Sequence, residues 1–159
     1  MTFCCPRWSF ETPAAHDAYG TSDLVANDVD AADVIPLKFD VSRVNGAGQV
    51  KAVNVFTDRE VVTNANFILH LYREAPSPSV GDNGVFAVAS VRQHVGSVAC
   101  DMTSGANVTS TDKSKRFALT VPIGFQVGDG QILYGLLATV AAYDRAGVEL
   151  FEVTLEIEG

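Results

Sequence analysis

The chain has 159 residues, 47% of them hydrophobic, and 19 acidic against 11 basic residues give it a formal net charge of −8. That length suits one domain, and the hydrophobic fraction is too high for a disordered chain. Nucleic-acid binding needs clustered lysine and arginine, and a membrane helix needs roughly 20 apolar residues in a row. Neither is present, so we expect neither nucleic acid nor membrane as a partner.

The first 14 residues differ from the rest of the chain because they show neither regular alternation nor turn signals. We predict an extended N-terminal arm over residues 1–14, followed by a single β domain over residues 15–159. The arm contains Phe3, Trp8 and Phe10, each of which could contribute up to roughly 2–3 kcal/mol when fully buried. These three are the candidate partner-binding residues. The arm could pack on its own sheet, dock on a neighbour, or stay a solvated tail, and the sequence leaves these alternatives open.

From residue 34 onward, apolar side chains recur at every second position, which is typical of strands with one buried face. The predicted strands cover residues 34–43, 49–57, 66–73, 97–102, 116–121, 132–142 and 150–158. The turn Asn45–Gly48 between the first two predicts a β-hairpin. Segment 85–94 fits either a short helix or a non-helical connection.

Three features of these strands lead to further expectations. Segment 132–142 is apolar on both faces, which predicts a central strand, whereas 150–158 has an acidic outer face that discourages pairing at an exposed edge. In segment 116–121 we expect Phe117, Leu119 and Val121 to point inward. The predicted core comprises Leu37, Phe39, Leu69, Leu71, Phe117, Leu119, Leu133, Leu137, Phe151, Val153 and Leu155.

Short strands separated by turns, with almost no helical periodicity, predict an all-β fold. The expected architecture is an antiparallel β-sandwich or a jelly-roll-like barrel with an extended N-terminal arm.

Arrangements of residues that would support catalysis or metal binding are incomplete. The acidic group Asp28, Asp30 and Asp33 lacks the glycine and glutamate of an EF-hand loop. His70 is expected to be a packed, hydrogen-bonded residue of a strand, and no serine lies in a Gly-x-Ser-x-Gly elbow. Cys4, Cys5 and Cys100 lack zinc-finger spacing. We therefore expect no enzyme activity, no cofactor and no required metal.

The order of several segments resembles that of small structural proteins of tailed bacteriophages. A polar lead beginning at Tyr19 precedes Val-Ile-Pro-Leu-Lys-Phe at 34–39. A glycine turn, a strand at 49–57 and Leu-His-Leu-Tyr at 69–72 follow. A proline loop with Asp82-Asn83 and a Leu-Tyr-Gly-Leu-Leu-Ala strand at 133–138 complete the pattern.

This resemblance implies a virion structural protein that binds and stabilises the assembled capsid shell as a decoration, or cement, protein. Its partner would be the major capsid protein lattice. It would be a homo-dimer or homo-trimer on the capsid exterior, synthesised in the host cytoplasm. The resemblance carries no signature of a site.

Two other functions stay open from the sequence. One is a tail- or fibre-associated module that binds a receptor or carbohydrate. The other is a small enzyme or ligand-binding barrel in which segment 132–142 lines a cavity.

Overall fold

The computed structural model describes residues 1–14, 18–59, 63–104, 107–108, 112–144 and 147–159. Within these ranges the chain forms β-strands joined by loops and one turn of 3-10 helix at Ser42–Val44. No helix in the described part of the chain is long and apolar enough to cross a membrane. The strands are β1 (Phe3–Cys4), β2 (Arg7–Glu11), β3 (Leu24–Val25), β4 (Leu37–Asp40), β5 (Ala47–Thr57), β6 (Asn66–Tyr72), β7 (His94–Asp101), β8 (Asn107–Val108), β9 (Lys113–Gln126), β10 (Ile132–Thr139) and β11 (Leu150–Glu158).

These strands form two antiparallel sheets that enclose one main core. In the described ranges the first sheet has six strands in the order β1-β11-β5-β9-β8, with β2 also paired to β11. The second has five strands in the order β3-β10-β6-β7, with β4 also paired to β10. Apolar side chains from both sheets meet in the core between them. The fold is therefore a β-sandwich, which confirms the all-β antiparallel prediction.

Four of the segments that carry the phage resemblance come together in the second sheet, around β10. Strand β10 pairs with β3 and β4 along one edge and with β6 along the other. A Cβ atom at Gly135 in β10 would lie 3.2 Å from side-chain atoms of Leu37, Phe39 and Leu69. A side chain at this position would require these three neighbours to shift by a few tenths of an ångström. Strand β10 therefore packs closely against β4 and β6 at Gly135.

The polar lead and the proline loop of that resemblance are also joined by structure. The Tyr19 hydroxyl donates to Asp82 Oδ1 at 2.7 Å, and the Ala26 amide donates to the same oxygen at 2.8 Å. Tyr19 and Asp82 are both buried. Buried polar groups need hydrogen-bond partners, so this pair fastens the loop to the edge of the second sheet.

The predicted hairpin over 34–57 is wrong, because its two strands belong to different sheets. Strand β4 pairs with β10, whereas β5 pairs with β11 and β9. The chain crosses between the sheets at the 3-10 turn and at Asn45 and Gly46, whose φ angles are 54° and 73°. The turn residues were identified correctly, but alternation alone does not specify a strand's partner.

Strand β11 does not lie at an edge of its sheet. It pairs with β5 along one edge and with β1 and β2 along the other. Its acidic outer face instead carries ion pairs to other strands of the same sheet. These are Glu152 with Arg7, Glu156 with Arg116, and Glu158 with Lys51.

A bulge in β9 explains why Val121 does not point inward. Val50 pairs with Ile123 and Ala52 with Ala118, so four residues of β9 face a single residue of β5. The extra residues break the alternation, and Val121 is 77% exposed.

The ambiguous segment 85–94 contains no helix. It makes isolated bridges at Val85 and Val88, and β7 begins at His94.

The predicted core is otherwise largely correct. Nine of its members are buried, while Phe117 and Leu119 are half-buried and pack against the core from beside the bulge. The core also contains residues that alternation did not indicate, such as Tyr19 and Tyr143, whose rings stack at 6.3 Å.

We expect Val153→Asp to prevent stable folding, because Val153 has no exposed surface and an unpaired buried charge costs several kcal/mol. The matched control is Val121→Asp, which should change the free energy of unfolding by less than about 0.5 kcal/mol. Urea unfolding followed by circular dichroism measures both. Equal destabilisation by the two substitutions would contradict the placement of these strands.

Candidate functional site

The N-terminal segment lies along the edge of β11 that β5 leaves open. Cys4 pairs with Ile157 and Trp8 with Val153. Further out, the Thr2 amide donates to the Gly159 carbonyl at 2.8 Å. The sequence left three arrangements of this segment open, and the structure shows the one in which it packs on the chain's own sheet.

The three candidate partner-binding aromatics occupy different environments. The Phe10 ring stacks on Phe151 with centroids 5.6 Å apart, and Trp8 is half-buried with Lys38 Nζ 6.0 Å from its ring centroid. Both pack against the main core. Phe3 is 62% exposed. Trp8 and Phe10 thus stabilise the sandwich, while Phe3 remains accessible, and a role of any of them in binding a partner stays a prediction.

A cleft of about 480 Å³ opens beside these strands, between residues 4–8 and the segment that runs from β4 into the 3-10 turn. Its cationic lining residues are Arg7, Lys38 and Arg43, and its acidic lining residue is Asp40. Backbone and side-chain hydrogen bonds from Ser42 lower the pKa of Asp40, so this carboxylate is charged at neutral pH. The charged side chains that line the cleft sum to +2, three cations less one anion, and one of these cations, Arg7, is paired with Glu152 at 3.6 Å. The net charge of the whole chain is −8.

The acidic loop between β3 and β4 lies beyond the other end of β2. Asn27 closes this loop: its side-chain amide donates to the Asp33 carbonyl at 3.2 Å, and its Oδ1 accepts from the Ile35 amide at 2.7 Å. Carboxylates of Asp28 and Asp30 accept backbone N–H groups within the loop, which is turn chemistry. In the described part of the chain no group of three or more His, Cys, Asp or Glu side chains is placed to hold a metal.

A histidine pair on the outer face of the second sheet has no signal in the sequence. Ser97 Oγ lies 2.9 Å from His70 Nδ1 and 2.9 Å from His94 Nε2. The His70 ring stacks on Phe86 at 4.6 Å. The expectation of a packed, hydrogen-bonded His70 is confirmed. The contact with His94 depends on the β6–β7 register, which places Ser97 opposite His70.

Burial lowers the pKa of His70 to about 4, and the neighbouring His94 adds to the effect. His70 is therefore neutral at physiological pH. One side of its ring is covered by Phe86, so the pair is arranged for packing, and no third ligand completes a metal site among the described residues.

A second polar cluster is fully enclosed near the end of the sandwich where β11 begins. Glu149 accepts hydrogen bonds from the Tyr143 hydroxyl at 2.7 Å and from the Thr57 hydroxyl. Burial raises the pKa of Glu149. Tyr143 has no exposed surface. No substrate could reach this carboxyl group, so the cluster is structural.

No protein-family model matches this sequence, and no curated protein matches it. Among solved structures, the chain is similar to one described as "Cyanophage Pam1 capsid asymmetric unit", with 13% identity and a TM-score of 0.40. The alignment covers 98% of this chain and 83% of that chain. A TM-score this low does not establish a shared fold.

We expect deletion of residues 1–14 to lower the free energy of unfolding by about 3–5 kcal/mol, because the half-buried Trp8 and Phe10 contacts are lost and β11 gains an unpaired edge. Phe3→Ala is the control and should leave stability nearly unchanged, since Phe3 is mostly exposed. Chemical denaturation measures both. Unchanged stability after deletion would show that β1 and β2 add nothing to the sandwich.

We expect the imidazole of His70 to titrate near pH 4 in the folded protein, as measured by NMR chemical shifts. Phe86→Ala should raise that pKa toward its ordinary value of about 6.5, because it opens the stacked face of the ring to water. A His70 pKa that is unchanged by Phe86→Ala would contradict desolvation by Phe86 as the cause.

Proposed function

We propose that this chain is a structural component of a tailed-phage virion, bound to the outside of the capsid shell as a decoration protein. The observation that carries the proposal is the ordered set of segments from Tyr19 onward that resembles small phage virion proteins. Four of these segments form one sheet around β10. Three of them, in β4, β6 and β10, pack closely together at Gly135.

The distribution of polar groups supports a binding role over catalysis. In the described residues, the enclosed polar clusters around Asp82 and Glu149 serve the fold, and His70 is packed against Phe86. Features that an external partner could contact include the exposed Phe3 and the cationic cleft beside β2. A decoration protein acts by mass action, because it binds the assembled lattice better than free subunits and so stabilises the assembled state.

The charge of the chain suits this location. A net charge of −8 disfavours association with packaged DNA and favours solubility before assembly. The cationic cleft is a local exception that suits contact with a protein surface.

The two other functions have less support. Sugar-binding modules of this architecture use exposed loop aromatics, whereas the single Trp is half-buried beneath Lys38. A ligand-binding barrel would need β10 to line a cavity, but Leu133 and Leu137 of β10 belong to the main core.

We expect the purified chain to co-sediment with capsids of its phage that were assembled without it, and not to bind unassembled capsid subunits. Phe3→Asp should weaken particle binding by roughly tenfold or more, because a contact worth up to about 2 kcal/mol is lost, with an unchanged melting temperature. Val91→Asp, at a site that is 72% exposed, is the matched control.

Failure of the unmodified chain to bind assembled capsids would overturn the proposed function. If Phe3→Asp weakens particle binding no more than Val91→Asp does, Phe3 is not part of the docking surface. The proposed function would still stand in that case.

A further inference from the structure

One side of the sandwich is formed by β2 of the first sheet and β4 of the second, which run next to each other. Lys38 of β4 reaches over the ring of Trp8 in β2 and bridges the two strands. Toward the other end of β2, Phe10 shares a shallow pocket with Val34 and Ile35. We name this side of the molecule, from the cleft to the acidic loop, the β2/β4 side.

The β2/β4 side has opposite charges at its two ends. Arg7, Lys38 and Arg43 lie around the cleft at one end. The loop carrying Asp28, Asp30 and Asp33 lies at the other end, where Asn27 and Ile35 line the pocket next to Phe10. Arg43 and Asp33 are both exposed.

The two charged ends are not paired with each other within one molecule. Among the described residues, no ion pair joins Asp28, Asp30 or Asp33 to a cation of the cleft. Within the cleft, Arg7 is paired with Glu152 at 3.6 Å, which leaves Lys38, Arg43 and Asp40 with a net charge of +1, two cations less one anion.

The acidic end also carries apolar side chains that have no cover. Ile35 is 51% exposed and Val29 is 50% exposed. Both lie in or next to the acidic loop, so a partner that meets its carboxylates with cations would also bury apolar surface. The cleft offers Pro6 and the accessible part of Trp8 beside its cations.

We propose that the β2/β4 side is a self-association surface, on which two copies of this chain dock about a two-fold axis. The cationic cleft of each copy receives the acidic loop of the other. A two-fold axis perpendicular to one side turns that side end for end, so the same patch serves both copies and the contact between cleft and acidic loop is made twice. We assign a second copy of this chain as the partner because its acidic loop carries the negative charge that complements the cationic cleft. The same loop also presents exposed apolar side chains that could pack in the cleft.

This inference does not depend on the capsid role. Reversal of one charge at either end should abolish the complementarity at both contacts. Arg43→Glu places an acid against the acidic loop, and Asp33→Lys places a cation against the cleft. Neither side chain makes a hydrogen bond or ion pair among those found for the described residues, so folding is expected to be unaffected. Arg92→Glu, at an exposed site outside the β2/β4 side, makes the same change in net charge as Arg43→Glu and is the control.

Sedimentation equilibrium of the full chain at low salt should show a monomer–dimer equilibrium that weakens as salt is raised from 0.05 to 0.5 M, as estimated from screening. Arg43→Glu and Asp33→Lys should each raise the dimer dissociation constant at least about tenfold. Arg92→Glu should leave it within about twofold, and melting temperatures should match throughout.

The decisive measurement is an equimolar mixture of Arg43→Glu with Asp33→Lys. In a mixed dimer, the acid introduced at position 43 meets the lysine introduced at position 33. The other contact pairs the unchanged Arg43 with the unchanged Asp33. The mixture should therefore dimerise more tightly than either variant alone.

Several results would overturn the proposal. They are a monomer at all salt concentrations, a dimer that Arg43→Glu and Arg92→Glu weaken equally, and a mixture that dimerises no better than its components. If the chain is a monomer but Arg43→Glu weakens binding to assembled capsids, the cleft receives an acidic segment of the capsid protein instead. That outcome would refute self-association and support the proposed function.

Discussion

The pairing of the N-terminal strands with β11 is the constraint on which the rest of this molecule depends. Without it, β11 would present an open row of backbone N–H and C=O groups, which is a template for unwanted pairing. With it, β11 becomes an interior strand, and Phe10 gains its stack on Phe151. The same pairing brings β2 next to β4, so the cationic cleft and the acidic loop share one side of the sandwich. A segment that looks like an appendage in the sequence thus completes one sheet and creates the charged side.

The interior polar groups of this sandwich serve its packing. The buried carboxylates of Asp82 and Glu149 accept hydrogen bonds from distant parts of the chain, Asp82 from Tyr19 and Glu149 from Thr57, and Glu149 also accepts one from the nearby Tyr143. Such groups are costly to bury alone and tolerable when bonded. They tie the loops to the ends of the sheets. Charge and exposed apolar side chains, by contrast, are unevenly distributed over the surface.

The strands were easier to predict than their partners. Segment 66–73 and β6 differ by one residue, and segment 132–142 was correctly placed at the centre of a sheet. Alternation reports which side chains share a face of one strand, and it says nothing about which other strand lies alongside. That is why β4 and β5, neighbours in sequence with a good turn between them, were wrongly joined in a hairpin. The prediction that Val121 points inward was wrong for a related reason. A bulge interrupts the alternation of side chains along β9, and its size becomes visible only from the pairing with β5.

The candidate site, too, could be predicted from the sequence only in part. Phe3, Trp8 and Phe10 stood out in the sequence because large aromatics are costly to leave in water. Trp8 and Phe10 pack on the core whereas Phe3 is exposed, and this difference depends on the registers of β1 and β2 against β11. The cationic cleft and the histidine pair could not be found from the sequence, because their members come from separate strands.

The sequence by itself determined the all-β class, most of the core, the turn at Asn45 and Gly46, and the acidic character of the chain. These follow from local periodicity, backbone preference and composition, which each segment carries on its own. The tertiary structure alone decided which strands pair, which aromatics remain exposed, and where opposite charges gather. Those properties arise from contacts between residues far apart in the chain, and such contacts are selected by the packing of the whole sandwich.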